Sequence, residues 1–287
     1  MTFKTIYQKL AALLCTGAVL FSFSGVRIEN EVASVTAESE KINPYGWDKI
    51  SSYTTYYNKN DGGRCENIAI ATALIDGVTV QGYGEFSFNQ TVGRRTEEAG
   101  FQQAKIIVNG EYVVGVGGGV CQVSTTLYNA ALKAGLTVTE FHPHSLQVAY
   151  VAPSRDAMVS NQSDLKFFNP YAHPVYLSAR TFEGGLKISF FGKNGGDRYE
   201  ITSEILEEIA PPAPIVKEGE TEEILRKEKN GVKSEMYLER YHGEKLLSRK
   251  RLRVDEYRPI QGIIVKKIGN TSKKIPSNDC VFYLKML

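Results

Sequence analysis

Short β-type runs separated by turn signals recur along most of this chain, and they constrain its fold more than any other feature. Runs rich in Val, Ile, Tyr, Phe and Thr are bounded by Gly, Pro and Asn-Gly pairs. Only two stretches, around residues 67–74 and 122–134, have the spacing of a helix. The pattern predicts an α+β fold, in which a β-rich mixed domain with a few short helices precedes a small all-β domain.

The predicted elements also suggest where the chain divides. Asn109-Gly110 between two β-runs is a strong hairpin signal, and a Pro-rich stretch at 210–214 resembles a linker. The predicted strands lie at 104–108, 112–116, 136–141, 146–151, 165–168, 175–180, 186–191, 224–229, 234–241, 245–254 and 263–268. The predicted divisions are an N-terminal segment at 1–37, a linker at 38–50, a first domain at 51–204 and a small β domain at 205–287.

The N-terminal segment is predicted to direct export. Lys4 and Lys9 precede the largely apolar run Leu10–Val26, and the small residues of Val35-Thr-Ala37 offer a cleavage site. The alternative is an uncleaved anchor, because the run is near the lower length limit for a membrane span. In both cases we expect the remaining chain to lie outside the cytoplasm, secreted or membrane-anchored.

The charge balance excludes some partners. Lys and Arg number 34 and Asp and Glu number 32, giving a net charge of +2. A nucleic-acid binder would be far more basic, and no nucleotide-binding or metalloprotease motif is found in the sequence, so we expect neither nucleic acid nor a cofactor. Basic residues exceed acidic ones within 205–287, a face that could contact an anionic cell-wall polymer or could simply be solvated.

The cysteine count leaves an unpaired thiol. Removal of the N-terminal segment leaves Cys65, Cys121 and Cys280, an odd number for an exported chain. Cys65 and Cys280 could pair or could be small buried apolar residues. Either arrangement leaves Cys121 free.

Cys121 is the best candidate for chemistry. It follows three glycines and opens a predicted helix, in Gly117-Gly-Gly-Val-Cys121-Gln. Gly118 and Gly119 would let a substrate approach the backbone. The helix N-terminus would lower the pKa of the thiol and could bind an oxyanion. These are the requirements of a cysteine nucleophile.

A base and a substrate anchor can be suggested from the remaining residues. His142 and His144 end a predicted strand with Pro143 between them, and either could take the thiol proton. Two histidines and a cysteine could also bind zinc, but the spacing does not fit a usual zinc site, so no metal is predicted. Asp156 could orient an imidazole or contact substrate, and Arg64 could bind a carboxylate.

Several motifs together resemble the VanW family. The most specific is Gly117-Gly-Gly-Val-Cys-Gln-Val-Ser-Thr-Thr-Leu-Tyr-Asn-Ala-Ala131. The matching segments elsewhere are Arg64-Cys-Glu-Asn67, Gly84-Glu-Phe-Ser-Phe-Asn89, Gly93-Arg-Arg-Thr96, His142-Pro-His144-Ser145 and Phe168-Asn-Pro170. One departure is Ala152-Pro-Ser-Arg155, where the family usually has a Gly. Residues 217–269 look like the small β domain called G-five.

The resemblance implies an activity. The family is named after vancomycin-resistance clusters, and some members are peptidoglycan L,D-transpeptidases that use the signature cysteine. By this resemblance Cys121 would form a thioester with one stem peptide and pass it to an amine of another, giving a 3-3 cross-link. His144 would be the first choice as base and His142 the second. The alternatives are hydrolysis of the same thioester by an L,D-carboxypeptidase, and a cell-wall binding protein without turnover.

Overall fold

Three helices and fifteen strands make up the part of the chain that the computed structural model describes, residues 45–108 and 110–267. The helices are α1 (Gly62–Ile75), α2 (Phe88–Val92) and α3 (Val120–Lys133). The strands up to the Pro-rich stretch are β1 (Lys49–Tyr56), β2 (Thr79–Val80), β3 (Glu85–Ser87), β4 (Gln103–Val108), β5 (Glu111–Val116), β6 (Thr137–Glu140), β7 (Lys166–Phe168), β8 (Val175–Phe182), β9 (Gly185–Phe191) and β10 (Asp197–Ile209). The later strands are β11 (Ile215–Gly219), β12 (Glu223–Arg226), β13 (Gly231–His242), β14 (Lys245–Tyr257) and β15 (Ile263–Lys267). The β-rich content with few short helices agrees with the predicted α+β class.

The strands form five small sheets rather than one large one. The orders are β1-β9-β8-β2, β3-β7-β6, the hairpin β4-β5, β10-β13-β14 and β11-β15-β12. All pairs are antiparallel except β11 with β15. Four of the ten described strand pairs, β4-β5, β6-β7, β8-β9 and β13-β14, join strands that are consecutive in the chain, and the other six join strands that are farther apart in sequence.

Helix α3 is the centre of the core. It packs against β1, β9, β6 and β10, and nearly all of its residues are buried. Most of its buried polar side chains are hydrogen-bonded, several of them to neighbouring segments, although Asn129 Oδ1 has no partner. Ile201 of β10 and Met236 of β13 belong to the same apolar core as Leu127 of α3, so the C-terminal strands share that core.

The predicted boundary between residues 204 and 205 falls inside β10, which continues to Ile209. The strand pairs with β13 along its whole length. The division into the predicted domains therefore stays a prediction. The N-terminal export segment and Cys280 lie outside the described residues.

One predicted strand, at 146–151, is wrong. Leu146 and Val148 are buried and alternate with less buried neighbours, which mimics the period of a strand. In the structure this run is a bend-rich segment without a strand partner, and Val148 and Tyr150 face a cavity instead. The first helix was also predicted too short, because α1 begins at Gly62 instead of near Asn67.

Candidate active site

The glycine turn before α3 is dictated by backbone geometry. Gly117 and Gly119 have φ values of +87° and +109°, in the left-handed region that favours glycine. A Cβ on Gly118 would lie 2.6 Å from the Lys105 carbonyl oxygen of β4. The backbone can therefore turn and enter the helix at Val120, with Cys121 in its first turn.

Cys121 lies on the wall of a cavity of about 510 Å³. Its side chain is half-buried, and Sγ lies 3.4 Å from the Val159 carbonyl oxygen. His144 and Tyr150 line the same cavity. The thiol is therefore accessible from a space large enough for a peptide segment.

His144 is held in one orientation by Asp156. The Asp156 Oδ2 accepts hydrogen bonds from the His144 ring at Nδ1, at 2.6 Å, and from the His144 backbone N–H, at 2.7 Å. Both side chains are buried. With Nδ1 committed to the carboxylate, Nε2 is the ring nitrogen left to interact with Cys121.

The charges around Cys121 favour the thiolate form of its side chain. Burial alone would raise the pKa of the Cys121 thiol, but the hydrogen bond and positive charge of His144, together with Arg95, lower it below its ordinary value. Burial would lower the pKa of His144, whereas Asp156 and Cys121 raise it to about 9. The site therefore favours a thiolate beside an imidazolium, the pairing that makes a cysteine nucleophilic.

Asp156 is itself anchored by strand β14. Tyr257 Oη donates a hydrogen bond to Asp156 Oδ1, and Arg253 Nη1 donates to the Asp156 carbonyl oxygen at 2.8 Å. Burial would raise the pKa of the Asp156 carboxyl, but His144, Arg253 and Tyr257 hold it below its ordinary value. The carboxylate is thus ionised and fixed from two sides.

Helix α3 holds the backbone that carries Asp156. Ser124 Oγ donates to the Ala157 carbonyl oxygen at 2.6 Å, and Thr125 Oγ1 accepts from the Ala157 N–H at 2.9 Å. Asn129 Nδ2 donates to the Arg155 carbonyl oxygen at 2.7 Å. These bonds fix the segment that carries Asp156 against the helix that carries Cys121.

The backbone N–H of Cys121 differs from those of its neighbours in the first turn of α3. The N–H groups of Val120 and Gln122 bond the carbonyl oxygens of Gly117 and Gly119. The Gly118 carbonyl oxygen instead accepts from Asn67 Nδ2 at 2.9 Å. Within the described residues no backbone acceptor is found for the Cys121 N–H. This N–H at a helix N-terminus can stabilise an oxyanion formed next to Sγ.

Arg64 is positioned by a buried glutamine. Its Nη2 donates to Gln122 Oε1 at 2.6 Å, and its guanidinium carbon lies 5.9 Å from the centre of the Tyr150 ring. Gln122 in turn donates to Thr55 and to the Tyr56 carbonyl oxygen, both at 3.0 Å. Arg64 therefore presents its remaining N–H groups from a fixed place on the cavity wall.

Comparison with known proteins matches this region of the chain. Residues 63–191 match the family model described as VanW like protein. They form a VanW-like domain. The uncharacterized protein YoaR of Bacillus subtilis is 39% identical over 158 residues, which cover 55% of this chain and 52% of YoaR. The chain thus matches about half the length of that curated relative.

A solved structure, described as the crystal structure of HP0197-G5, is also similar. It is 15% identical, with a TM-score of 0.14, and the match covers 24% of this chain and 97% of that chain. The assignment of residues 205–287 to a G-five-like domain remains a prediction.

The VanW-like domain brings together Cys121, His144 and Asp156 but leaves His142 apart. His142 Nε2 lies 3.0 Å from Glu140 Oε1, and His142 is absent from the cavity wall. Asp156 is 1% exposed and holds His144 rather than facing substrate. Arg64, Gly118 and Gly119 line the cavity, but both glycines are buried and pack closely on Lys105 and Arg64, so their binding of substrate stays a prediction.

Other site residues were missed from the sequence. Arg95 and Lys105 line the cavity, and Arg253 and Tyr257 support the aspartate although they lie beyond the matched range of the VanW-like domain. Arg95 could have been suspected because it stands in the Gly93-Arg-Arg-Thr96 motif. The roles of Arg253 and Tyr257 depend on the register of β14, which no local pattern shows.

Within residues 45–108 and 110–267, no group of three or more His, Cys, Asp or Glu side chains is placed to hold a metal ion. None of the helices in these ranges is long and apolar enough to cross a membrane.

Proposed function

We propose that this protein is a peptidoglycan L,D-transpeptidase that forms 3-3 cross-links through a thioester on Cys121. The observation that carries the proposal is that Cys121 and His144 lie on the wall of one cavity, with the buried Asp156 bonded to the His144 ring from outside that wall. A thiol activated by an oriented imidazole is the arrangement that acyl transfer needs. The VanW-like domain adds the family resemblance on which the choice of substrate depends.

The geometry of the site supports a first half-reaction at Cys121. The Cys121 thiolate attacks the carbonyl carbon of the peptide bond that precedes the terminal D-Ala of a tetrapeptide stem. The oxyanion lies against the free Cys121 N–H. The His144 imidazolium then gives its proton to the leaving nitrogen as the C–N bond breaks, so that D-Ala departs and a thioester remains.

The second half-reaction reverses the proton transfer. The side-chain amine of a diamino acid on a second stem attacks the thioester, and neutral His144 takes the proton that this amine loses. The C–S bond breaks and the thiolate returns. Asp156 keeps the imidazole in one orientation in both steps, with Oδ2 bonded to Nδ1.

The proposed place of action is outside the cytoplasm, where cell-wall stems are found. The export segment predicted from the sequence supports this location, with the protein secreted or held at the membrane by an uncleaved N-terminal segment. The basic excess of residues 205–287 supports contact of the C-terminal strands with an anionic wall polymer.

Intact-protein mass spectrometry with tetrapeptide muropeptides tests the activity. We expect an adduct on Cys121 that lacks the mass of D-Ala, followed by muropeptide dimers. The Cys121→Ser variant is the control, and we expect neither adduct nor dimers from it. Since Ser is nearly isosteric with Cys, circular dichroism should show an unchanged fold.

The products separate the alternatives. Tripeptide without dimers would show that water resolves the thioester, which identifies a carboxypeptidase. A folded protein that binds wall material, but forms neither adduct nor product with several stem types, would contradict acyl transfer. The same protein would then be a binding module.

A further inference from the structure

The cavity beside Cys121 is lined by more positively charged than negatively charged side chains. Arg64, Arg95 and Lys105 all line it, whereas no Asp or Glu does so among the described residues. The thiolate and the imidazolium of His144 offset one another, so these three side chains leave the wall positively charged. Only one of them, Arg64, was expected from the sequence to meet substrate.

Arg95 is fixed close to the nucleophile. Its Nη2 donates to Asn89 Oδ1 at 2.7 Å, and its side chain packs on Gly117, where an added Cβ would lie 3.2 Å from the Arg95 Cβ. Burial lowers the pKa of the Arg95 guanidinium, and the charge of Cys121 raises it. Arg95 is therefore a half-buried cation within electrostatic reach of the sulfur.

Asp164, the carboxylate whose charge raises the pKa of Arg95, already accepts hydrogen bonds from other groups. Asp164 accepts hydrogen bonds from Ser87 Oγ at 2.5 Å and from the N–H groups of Asn89 and Leu165, both at 2.8 Å. Within the described residues Asp164 makes no ion pair with Arg95. The guanidinium therefore keeps donors for another anion.

Lys105 supplies the second cation from a different element. It lies on β4, whose backbone packs against Gly118, and its side chain is exposed at the cavity wall. No carboxylate among the described residues pairs with its ammonium group. A lysine without a partner beside a reactive thiol can receive an anionic group of a ligand.

We propose that Arg95 and Lys105 form a carboxylate-binding subsite next to the reacting thiol. The inference rests on the proposed function and deepens it, because it names a substrate class. Acyl donors that carry a free carboxylate near the scissile bond should be preferred over donors in which that carboxylate is amidated. Planar Arg95 can bind a carboxylate with two parallel bonds, and Lys105 can add a point charge.

Two alkylating reagents test the subsite without any natural substrate. Iodoacetate and iodoacetamide both alkylate a thiolate, which forms an S–C bond and expels iodide, but only iodoacetate carries a carboxylate. The measured quantity is the ratio of their rates at Cys121, followed by peptide mass mapping in the full protein. Cys65, a half-exposed free thiol outside the cavity, gives the reference ratio in the same sample.

We expect iodoacetate to be favoured at Cys121 relative to Cys65, and the preference to fall as salt is added. Lys105→Gln should lower the ratio about threefold, as for an exposed ion pair, and Arg95→Gln about tenfold, as for a charge-assisted bond in a half-buried site. Lys193→Gln, which removes an exposed lysine outside the cavity, is the matched control and should not change the ratio. Equal ratios at the two cysteines, or ratios that neither cavity variant lowers, would overturn the subsite.

Paired muropeptides connect the subsite to turnover. The free-carboxylate donor should give a higher kcat/KM than its amidated form, and Arg95→Gln should reduce that difference. If the reagent ratio behaves as expected while no muropeptide reacts, the subsite stands and the proposed transpeptidase fails. If muropeptides react while the reagent ratio is that of Cys65, the transpeptidase stands and the subsite fails.

Discussion

At the scale of single residues, the structure separates two histidines that the sequence could not. His142 and His144 are two positions apart, with Pro143 between them, so no strand period fixes their directions. In the structure His144 is buried against Asp156, and His142 lies near the surface beside Glu140. The difference arises because Asp156 bonds both the ring and the backbone N–H of His144.

Alkylation of Cys121 as a function of pH measures this difference. The pKa of the thiol is lowered in the folded protein, so the thiolate is present above a pH lower than the ordinary value of about 8.5. We expect the iodoacetamide rate at Cys121 to level off below that pH, and its midpoint to move upward in His144→Ala. His142→Ala is the matched control and should keep the wild-type midpoint.

A wild-type midpoint near 8.5 would contradict the thiolate–imidazolium pair. An equal shift in both histidine variants would contradict the assignment of His144. Since the pKa of His144 is raised to about 9, the imidazolium persists at neutral pH and loses its proton only as the pH approaches that value. We therefore expect a second change in the iodoacetamide rate at Cys121 near pH 9, where the His144 imidazolium loses its proton.

At the scale of elements, the sequence patterns predict helix α3 but give no sign of the strand β14 residues that hold Asp156. The glycine triplet and the apolar spacing after it identify the turn and the helix, because both depend on neighbouring residues. Tyr257 and Asp156 are 101 positions apart, and their contact depends on how β14 pairs with β13. The false strand at 146–151 has the same origin, since its alternation reflects burial at a cavity and not pairing.

Tyr257→Phe tests the role of β14. Loss of this hydroxyl removes one anchor of the Asp156 carboxylate and leaves the Ser154 N–H, 2.7 Å from Tyr257 Oη, without its acceptor. A hydrogen bond to a charged group stabilises by about 1.5 kcal/mol or more. We expect the alkylation rate of Cys121 at pH 7 to fall about tenfold, with an upward shift of the midpoint.

Tyr241→Phe, on the neighbouring strand β13, is the control for Tyr257→Phe. Tyr241 Oη also donates to a carboxylate, Glu239 Oε2 at 2.7 Å, on the same sheet but away from Asp156. If both variants lower the thiol reactivity equally, β14 stabilises the fold without positioning the aspartate. A fall confined to Tyr257→Phe supports positioning.

At the scale of the whole molecule, the described strands on both sides of the predicted boundary share one core. Gly135, at the end of α3, has a φ of +76°, and an added Cβ would overlap the Tyr199 ring of β10 and the Tyr171 hydroxyl. Ile201 and Met236 pack in the same core as α3. We therefore expect urea to unfold the VanW-like domain and the β10-β13-β14 sheet in a single transition.

Gly135→Ala tests this shared core. A methyl group there meets both left-handed strain and a steric clash, so we expect the free energy of unfolding to fall by about 3 kcal/mol. Gly243→Ala has a φ of +56° but open space around it, and it should cost only about 1 kcal/mol. Equal losses in the two variants, measured by urea titration, would mean that the close approach at Gly135 contributes nothing.

The link between Asp156 and Tyr257 limits how this protein can be divided or recombined. The matched family segment ends at residue 191, yet the hydroxyl that holds the Asp156 carboxylate comes from residue 257. A fusion that joined residues 63–191 to a different C-terminal module would keep Cys121 and His144 but lose that donor. Such exchanges would keep the full reactivity of Cys121 only where the incoming module supplied an equivalent donor, so the segment that sets this reactivity extends beyond the matched residues.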